Sequence, residues 1–299
     1  MKNLQNITLL FFLIITTALS SPSLIAQRIE IDSAQRITMP GSDELFPAWS
    51  SDNRQIAFQS NQNGNNNLFI YDLKQDTIRQ ITSGKADKQH PVFIPNSNDI
   101  AFDSQINDKV YIFKIDPATG QQDVVFKRKL FCKEPSFSPS GRMIVFTGYD
   151  KTSESWQIFS YDFIYDNLNQ LTHYKQKKVF NPLFSPNGKI ILFKTEERLT
   201  PFSQSLEEIN WYGKSLISID TISAQSYCWS PDSYRIVCTL KKDSTHRVIS
   251  IRKDGSAAFL LSDNEYQKAT PALSPDGKKL ALAVKLGNDF DIIIVNLDD

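Results

Sequence analysis

The 299-residue sequence is short of the side chains that carry most enzyme chemistry, with three cysteines and three histidines. It holds no Cys-x-x-Cys, His-Glu-x-x-His, Gly-x-Ser-x-Gly or phosphate-binding glycine loop. No catalytic residue, metal ligand or cofactor can therefore be assigned by motif. It also lacks net charge: 33 basic side chains balance 33 acidic ones, which argues against a nucleic-acid partner recruited by global electrostatics. Long apolar runs are missing too. The thirteen residues Ile7 to Leu19 fall short of the roughly 20 that span a bilayer. With Lys2 before this run and Ser20 to Ser23 after it, residues 1–26 read as a cleavable secretory signal, cut after Ser20 or Ala26. The expected location is the periplasm or another exported compartment, with no membrane span in the mature chain. Neither cut leaves an N-terminal cysteine for a lipid anchor. Three cysteines leave at least one thiol unpaired. Cys228 and Cys238 should lie on the two strands of one hairpin and point to opposite faces, so three reduced cysteines are expected.

What the sequence does have is a repeat. Thr270-Pro271-Ala272-Leu273-Ser274-Pro275-Asp276-Gly277-Lys278-Lys279-Leu280-Ala281-Leu282 has five relatives, starting at Phe46-Pro47, His90-Pro91, Glu134-Pro135, Asn181-Pro182 and Ser226-Tyr227. Aligned on the proline, or on Tyr227 in its place, the steps are 44, 44, 47, 45 and 44 residues. A period of about 40 to 45 residues is the length of one four-stranded propeller blade.

Each copy reads as four strands. Ser-Pro-Asp-Gly is a tight turn between the first two, with a left-handed residue at its fourth position that Asn53 can replace in the first copy. The second strand is apolar on both faces, as at Ile56-Ala57-Phe58, which fits packing between neighbouring blades. The last copy has a third strand near Phe290 to Leu297 and no fourth. Arg36-Ile37-Thr38, nine residues before Pro47, resembles Arg79-Gln80-Ile81-Thr82 before Pro91, so the N-terminal segment is expected to supply the missing outermost strand. The predicted fold is all-β: a six-bladed β-propeller over residues 27–299, with units starting near 47, 91, 135, 182, 227 and 271. Only the fourth copy is irregular. Residues Thr195 to Glu207 read as an insertion before a third strand at Ile209 to Tyr212 and a fourth at Ser215 to Ser218.

The Pro-x-aromatic-Ser-Pro-Asp-Gly-Lys-x-Leu-Ala run at this spacing resembles the TolB-type propeller repeat over residues 36–299. Single copies depart from it at Ser51, Ile94, Ser97, Tyr227 and Ser233. The resemblance implies a periplasmic propeller that binds another macromolecule, as the family's propeller binds the peptidoglycan-associated lipoprotein. Only about ten residues separate the expected cleavage site from Arg36, so the α/β domain that precedes the propeller in TolB itself is expected to be absent and the whole Tol role is not expected to transfer.

If first strands run downward, the loops entering them share the upper face with the loops joining second and third strands. The residues before the anchor position, Phe46, His90, Glu134, Asn181, Ser226 and Thr270, should then ring the channel mouth. They serve there either to bind a partner or to hydrogen-bond between blades. The loops entering blades two to four hold nine basic side chains, among them Lys127, Arg128, Lys129, Lys175 and Lys177, against two acidic ones. They are either solvated loop charge or a steering surface for an envelope protein or anionic glycan. The irregular loop of the fourth copy is expected to bring Phe202 to the same face as a partner anchor, with Trp211 and Tyr212 nearby as strand residues. His90, His173 and His246 lie too far apart along the blades for a shared metal. The functional expectation is a non-catalytic binding scaffold; the alternatives are a lyase-like polysaccharide-active enzyme and a carbohydrate-binding module.

Overall fold

The computed structural model describes residues 29–31, 34–38, 41–198, 204–219, 223–242, 245–264 and 266–297. Six antiparallel four-stranded sheets form the blades of one ring. The innermost strands are β2 (Glu44–Trp49), β6 (Lys88–Phe93), β10 (Cys132–Phe137), β14 (Lys177–Phe184), β18 (Ala224–Trp229) and β22 (Lys268–Leu273). Next come β3 (Gln55–Ser60), β7 (Ile100–Ile106), β11 (Met143–Asp150), β15 (Ile190–Glu197), β19 (Arg235–Lys242) and β23 (Lys279–Leu286). The third strands are β4 (Asn67–Asp72), β8 (Lys109–Ile115), β12 (Ser155–Asp162), β16 (Gln204–Asn210), β20 (Thr245–Arg252) and β24 (Asp289–Asn296). On the outside lie β5 (Thr77–Gln80), β9 (Gln122–Val124), β13 (Asn167–Gln170), β17 (Ser215–Ile219) and β21 (Phe259–Asn264). The sixth blade takes its outer strand from β1 (Gln35–Arg36), which pairs with β24. Among the described residues no helix is long and apolar enough to cross a membrane.

The second strands are apolar on both faces because both faces are covered. Ile56, Ala57 and Phe58 are buried, as are Ile100 to Phe102 and Ile144 to Phe146. Successive side chains enter different inter-blade clusters: Ile56 and Phe58 pack against blade 6 with Ile292 and Ile294, while Ala57 packs against Ile100 and Phe102 of blade 2. Burial therefore joins blades rather than filling one central core.

The turn chemistry follows the sequence, with one shift. Asn53, Gly141, Gly188, Ser233 and Gly277 all take positive φ at the fourth turn position. In blade 2 the left-handed residue is Asn96 and not Ser97, so Ile94-Pro95-Asn96-Ser97 closes as a type II turn with proline second and asparagine third. Asparagine tolerates that conformation better than serine does.

Blade 4 corrects the sequence reading more substantially. Its third strand is Gln204–Asn210, and β15 runs on through Glu197, so most of the supposed insertion is strand. Trp211 and Tyr212 lie in the turn that follows. Turns between third and fourth strands are on the lower face, so these two aromatics are exposed there and not beside the channel mouth.

All three cysteines are free. Cys238 is opposite Tyr227, and Cys228 is opposite Val237, so the two thiols point to opposite faces of the hairpin. Burial pushes the Cys132 and Cys228 thiols up to about 12. Native protein at pH 8 should therefore react with a disulfide-exchange reagent at least about a hundredfold more slowly than free cysteine. Three thiols should titrate at once in denaturant, and a fast-reacting thiol in the native state would contradict this burial.

Candidate binding site at the mouth of the channel

The inner strands surround a channel cavity of about 220 Å³. Its wall is largely apolar, with Pro47, Pro91, Pro135, Pro182 and Pro271 in five blades and Tyr227 in the fifth. Just above these lie the six mouth residues, and five of them adopt a left-handed backbone: Phe46 (φ 56), His90 (φ 52), Glu134 (φ 58), Asn181 (φ 50) and Thr270 (φ 44). Each of these inner strands has a register shift at the same place, as between Leu45 and Ala48. Left-handed backbone at non-glycine residues costs energy and needs compensation.

The compensation comes from the preceding blade. The backbone N–H of His90 donates to Gln59 Oε1 (3.2 Å), that of Glu134 to Asp103 Oδ1 (3.0 Å) and that of Asn181 to Glu134 Oε2 (2.8 Å). The N–H of Thr270 donates to Ser226 Oγ (2.8 Å), and that of Phe46 to Thr270 Oγ1 (3.1 Å), carrying the ring across the closure. One junction is inverted. Lys194 stands where the other blades have Gln59, Asp103 or Thr147, and its ammonium donates to the Gln225 carbonyl, while the Tyr227 hydroxyl donates to the Asn181 carbonyl (2.6 Å). The mouth residues thus do the inter-blade hydrogen bonding expected of them as structural groups.

Three of them also offer chemistry to the channel. His90 Nδ1 lies 2.7 Å from Asp103 Oδ1, and its ring meets Phe46 edge-on at 4.4 Å between centroids. Burial opposes charge on the imidazole, but the Asp103 carboxylate and, behind it, that of Glu134 together outweigh it and hold the His90 pKa above its ordinary value. Burial likewise opposes charge on Glu134, yet Lys133 at 3.1 Å, His90 and the Asn181 N–H hold its pKa down. Lys133 lies over the rings of Trp156 (5.1 Å) and Phe180 (5.8 Å), and Lys194 over the same Phe180 ring (5.5 Å). The mouth therefore carries His90, Lys133 and Lys194 against Asp103 and Glu134, set among aromatic rings.

The rim lysines are less available than their number implies. Lys88 is buried and donates to the carbonyls of Ser83 and Ala86. Lys177 pairs with Glu207 (2.7 Å) and Glu197 (3.5 Å), and Lys178 with Glu196 (3.4 Å). Arg128 is turned away from the upper rim: it lies over the Tyr161 ring and pairs with Asp166 in the lower turn of blade 3. Lys85, Lys127, Lys129 and Lys175 remain exposed and form no ion pair among the described residues. Phe202 lies outside the described residues. Among those residues no group of three or more histidine, cysteine or acidic side chains could hold a metal; His90 lines the channel, whereas His246 is buried near the start of β20 beneath Lys268.

The family model for the TolB beta propeller domain matches residues 15–233. The chain belongs to the TolB β-propeller family. No curated protein matches its sequence. Among solved structures, this TolB-family propeller superposes on TolB from Acinetobacter baumannii with a TM-score of 0.66 at 20% identity, over 77% of this chain and 58% of that one. It thus spans less than two thirds of that TolB's length. An oligogalacturonate lyase in complex with manganese superposes with a TM-score of 0.62 at 13% identity, over 88% of this chain and 93% of that one. A gluconolactonase from Xanthomonas campestris gives a TM-score of 0.64 at 13% identity, over 91% and 94% of the two chains. Identities this low establish a shared fold alone.

Sequence reasoning about this TolB-family chain found the mouth ring but missed Asp103, Lys194, Phe180 and Trp156. The first two had a usable signal. Twelve residues after each anchor the sequence reads Gln59, Asp103, Thr147, Lys194, Thr239 and Ala283, so an ionisable side chain at this buried position stands out in two blades.

Proposed function

We propose that this chain is an exported, non-catalytic propeller scaffold of the bacterial envelope, which receives an acidic protein segment or anionic glycan on its upper face and at the channel mouth. The observation that carries this reading is the arrangement at the mouth: a His90 held toward its charged form, Lys133 and Lys194 against aromatic rings, and an apolar pit of prolines beneath. Cations over rings can take a carboxylate of the partner, and the pit can take an apolar group beside it. The four unpaired rim lysines would speed encounter with such a partner. Family membership and the signal-like sequence of residues 1–26 support an envelope setting.

The test is capture from solubilised envelope by residues 27–299, with bound proteins and glycans identified together. Lys127, Lys129 and Lys175 changed to glutamate should lower capture of a stoichiometric partner at least about tenfold at low salt, and salt should weaken wild-type capture in parallel. Arg128 is left intact because it ties down the turn at Asp166. Equal capture by both proteins would return these lysines to solvated loop charge.

A second reading, a polysaccharide-active enzyme, is favoured by one feature: the His90–Asp103 pair beside Glu134 in an open channel. Shortening of a captured glycan by wild type and not by His90→Gln would move it ahead of the scaffold.

A further inference from the structure

On the lower face, away from the channel mouth, the turns of blades 3 and 4 leave a groove of about 340 Å³ between them. Arg142 forms one wall, with its guanidinium 4.8 Å from the centroid of the Tyr165 ring. Trp211 forms the other, in contact with Tyr212 at 3.5 Å between ring centroids. These aromatics are open to solvent: Trp211 is 40%, Tyr165 72% and Tyr212 70% exposed.

Neither the fold nor its closure calls for them. The matching turns of blades 1 and 2 read Leu73-Lys74-Gln75-Asp76 and Pro117-Ala118-Thr119-Gly120, where blades 3 and 4 have Phe163-Ile164-Tyr165-Asp166 and Trp211-Tyr212-Gly213. Both aromatic turns are held rigidly. Asp162 Oδ1 accepts the N–H groups of Ile164 and Tyr165, and Asn210 Oδ1 accepts those of Tyr212 and Lys214. Gly213, at φ +81, lets its turn press against the Leu171 backbone, where a Cβ would stand 2.8 Å from the carbonyl oxygen. The platform is therefore preorganised, which lowers the entropy cost of binding.

The polar groups of the groove point to the ligand. Asn187 lines it with Oδ1 engaged by Ser185 and Lys189, while its Nδ2 has no partner among the described residues. Ser140 adds a hydroxyl that already accepts the Arg142 N–H, and Arg142 adds the edge of a guanidinium whose Nε and one Nη (2.7 Å) are held by Asp162. Exposed Lys189 and Lys214, without an ion pair among the described residues, flank the two turns. A flat apolar wall edged by an amide, a hydroxyl and a guanidinium matches a pyranose ring, which has an apolar C–H face and hydroxyls around its edge that both donate and accept. A proline-rich peptide offers carbonyl acceptors but few donors, and so uses less of this lining. A dimer would need about 800 Å² per partner, more than a groove of this size supplies. The volume lies at the small end of ligand sites and suits one or two sugar rings.

We infer that this groove is a saccharide-binding subsite, independent of the upper face, in which Trp211 stacks on a pyranose ring of a glycan while Asn187 and Arg142 hold its hydroxyls. Chitotetraose, cellotetraose and tetragalacturonate, each titrated into residues 27–299, provide the test, followed by calorimetry and tryptophan fluorescence. Trp49 and Trp229 are buried and Trp156 is half-buried at the upper mouth, so the part of an emission change that is lost in Trp211→Ala reports on the exposed Trp211. At least one of the three should saturate with a Kd of about 1 mM or tighter. Trp211→Ala should weaken it about tenfold and Asn187→Ala severalfold, with the melting temperature unchanged. The rim triple variant should leave this titration unchanged, and Trp211→Ala should leave protein capture unchanged, so failure of one site is distinguishable from failure of the other. No saturable binding by any of the three sugars up to about 10 mM, or equal affinity in Trp211→Ala, overturns the inference. So does a Trp211-dependent dimer in light scattering, or Trp211-dependent binding of lipid vesicles or a proline-rich decapeptide by a protein that ignores the sugars.

Discussion

A chain lacking residues 27–40 loses its cooperative thermal transition, or melts more than about 10 °C below the intact propeller. Three isoleucines leave with that segment. Ile29 and Ile31 are buried between blades 5 and 6, and Ile37 is buried between blades 6 and 1. Each contributes roughly 1.5–3 kcal/mol by burial. The hydrogen bonds of Ile29 to Leu261 and of Ile37 to Ile292 are lost as well. The larger effect falls on Asp291, which is fully buried, pairs with Arg36 and accepts from the Thr38 hydroxyl. Leaving such a carboxylate without partners costs about 3–5 kcal/mol. Together these approach the whole stability of an ordinary domain. Arg36→Ala, which keeps the strand and removes only the cation, should lie between the two and lower stability by about 2–4 kcal/mol. Calorimetry on the three proteins checks the order. A truncated chain that melts with the intact one would mean that the ring does not depend on this strand.

That closure was legible because its signal is local and repeated: Arg36-Ile37-Thr38 copies a strand that recurs at fixed distance from each anchor. The six blades, their turns and the lack of alternation in Ile56-Ala57-Phe58 were legible for the same reason. The charge pattern of the rim was not. Lys177 and Lys178 look free in sequence, and their partners Glu196, Glu197 and Glu207 lie some 20 to 30 residues on, across a hairpin whose register the sequence does not reveal. Blade 4 was misread for a related reason. Its third strand, Gln-Ser-Leu-Glu-Glu-Ile-Asn, carries two glutamates that are both buried, so an interior strand has the composition of a loop. Moving that strand back by five residues takes Trp211 and Tyr212 from the channel side to the lower face. Asp103 was overlooked because its role exists only between blades, where it bonds the His90 ring and the Glu134 backbone at once.

One of those two buried glutamates should make the protein less stable as the solution becomes more alkaline. Glu208 is 1% exposed, and its Oε1 has no hydrogen-bond partner among the described residues. Burial pushes its pKa from 4.5 up to about 7, with Lys253 lowering it and Asp254 raising it further by smaller amounts. Below about pH 4.5 the carboxyl is protonated in both folded and unfolded chains and has no effect on the balance. Between about 4.5 and 7 the unfolded chain gives up this proton while the folded chain keeps it, so stability falls as pH rises; above about 7 the loss is complete, near 3 kcal/mol. Glu44, also raised by burial and with Oε2 unpartnered, adds to the same trend. Glu208→Gln removes the ionisation while keeping the shape. At pH 8 it should be more stable than wild type by about 2–3 kcal/mol, with a melting temperature higher by about 5 °C, and at pH 5 the two should nearly coincide. Denaturant melts of both proteins at pH 5, 6, 7 and 8 measure this directly. Parallel curves would mean that the Glu208 carboxylate finds a partner or water in the folded protein. Converging curves at low pH would mark it as the residue that tilts the stability of the ring toward acid.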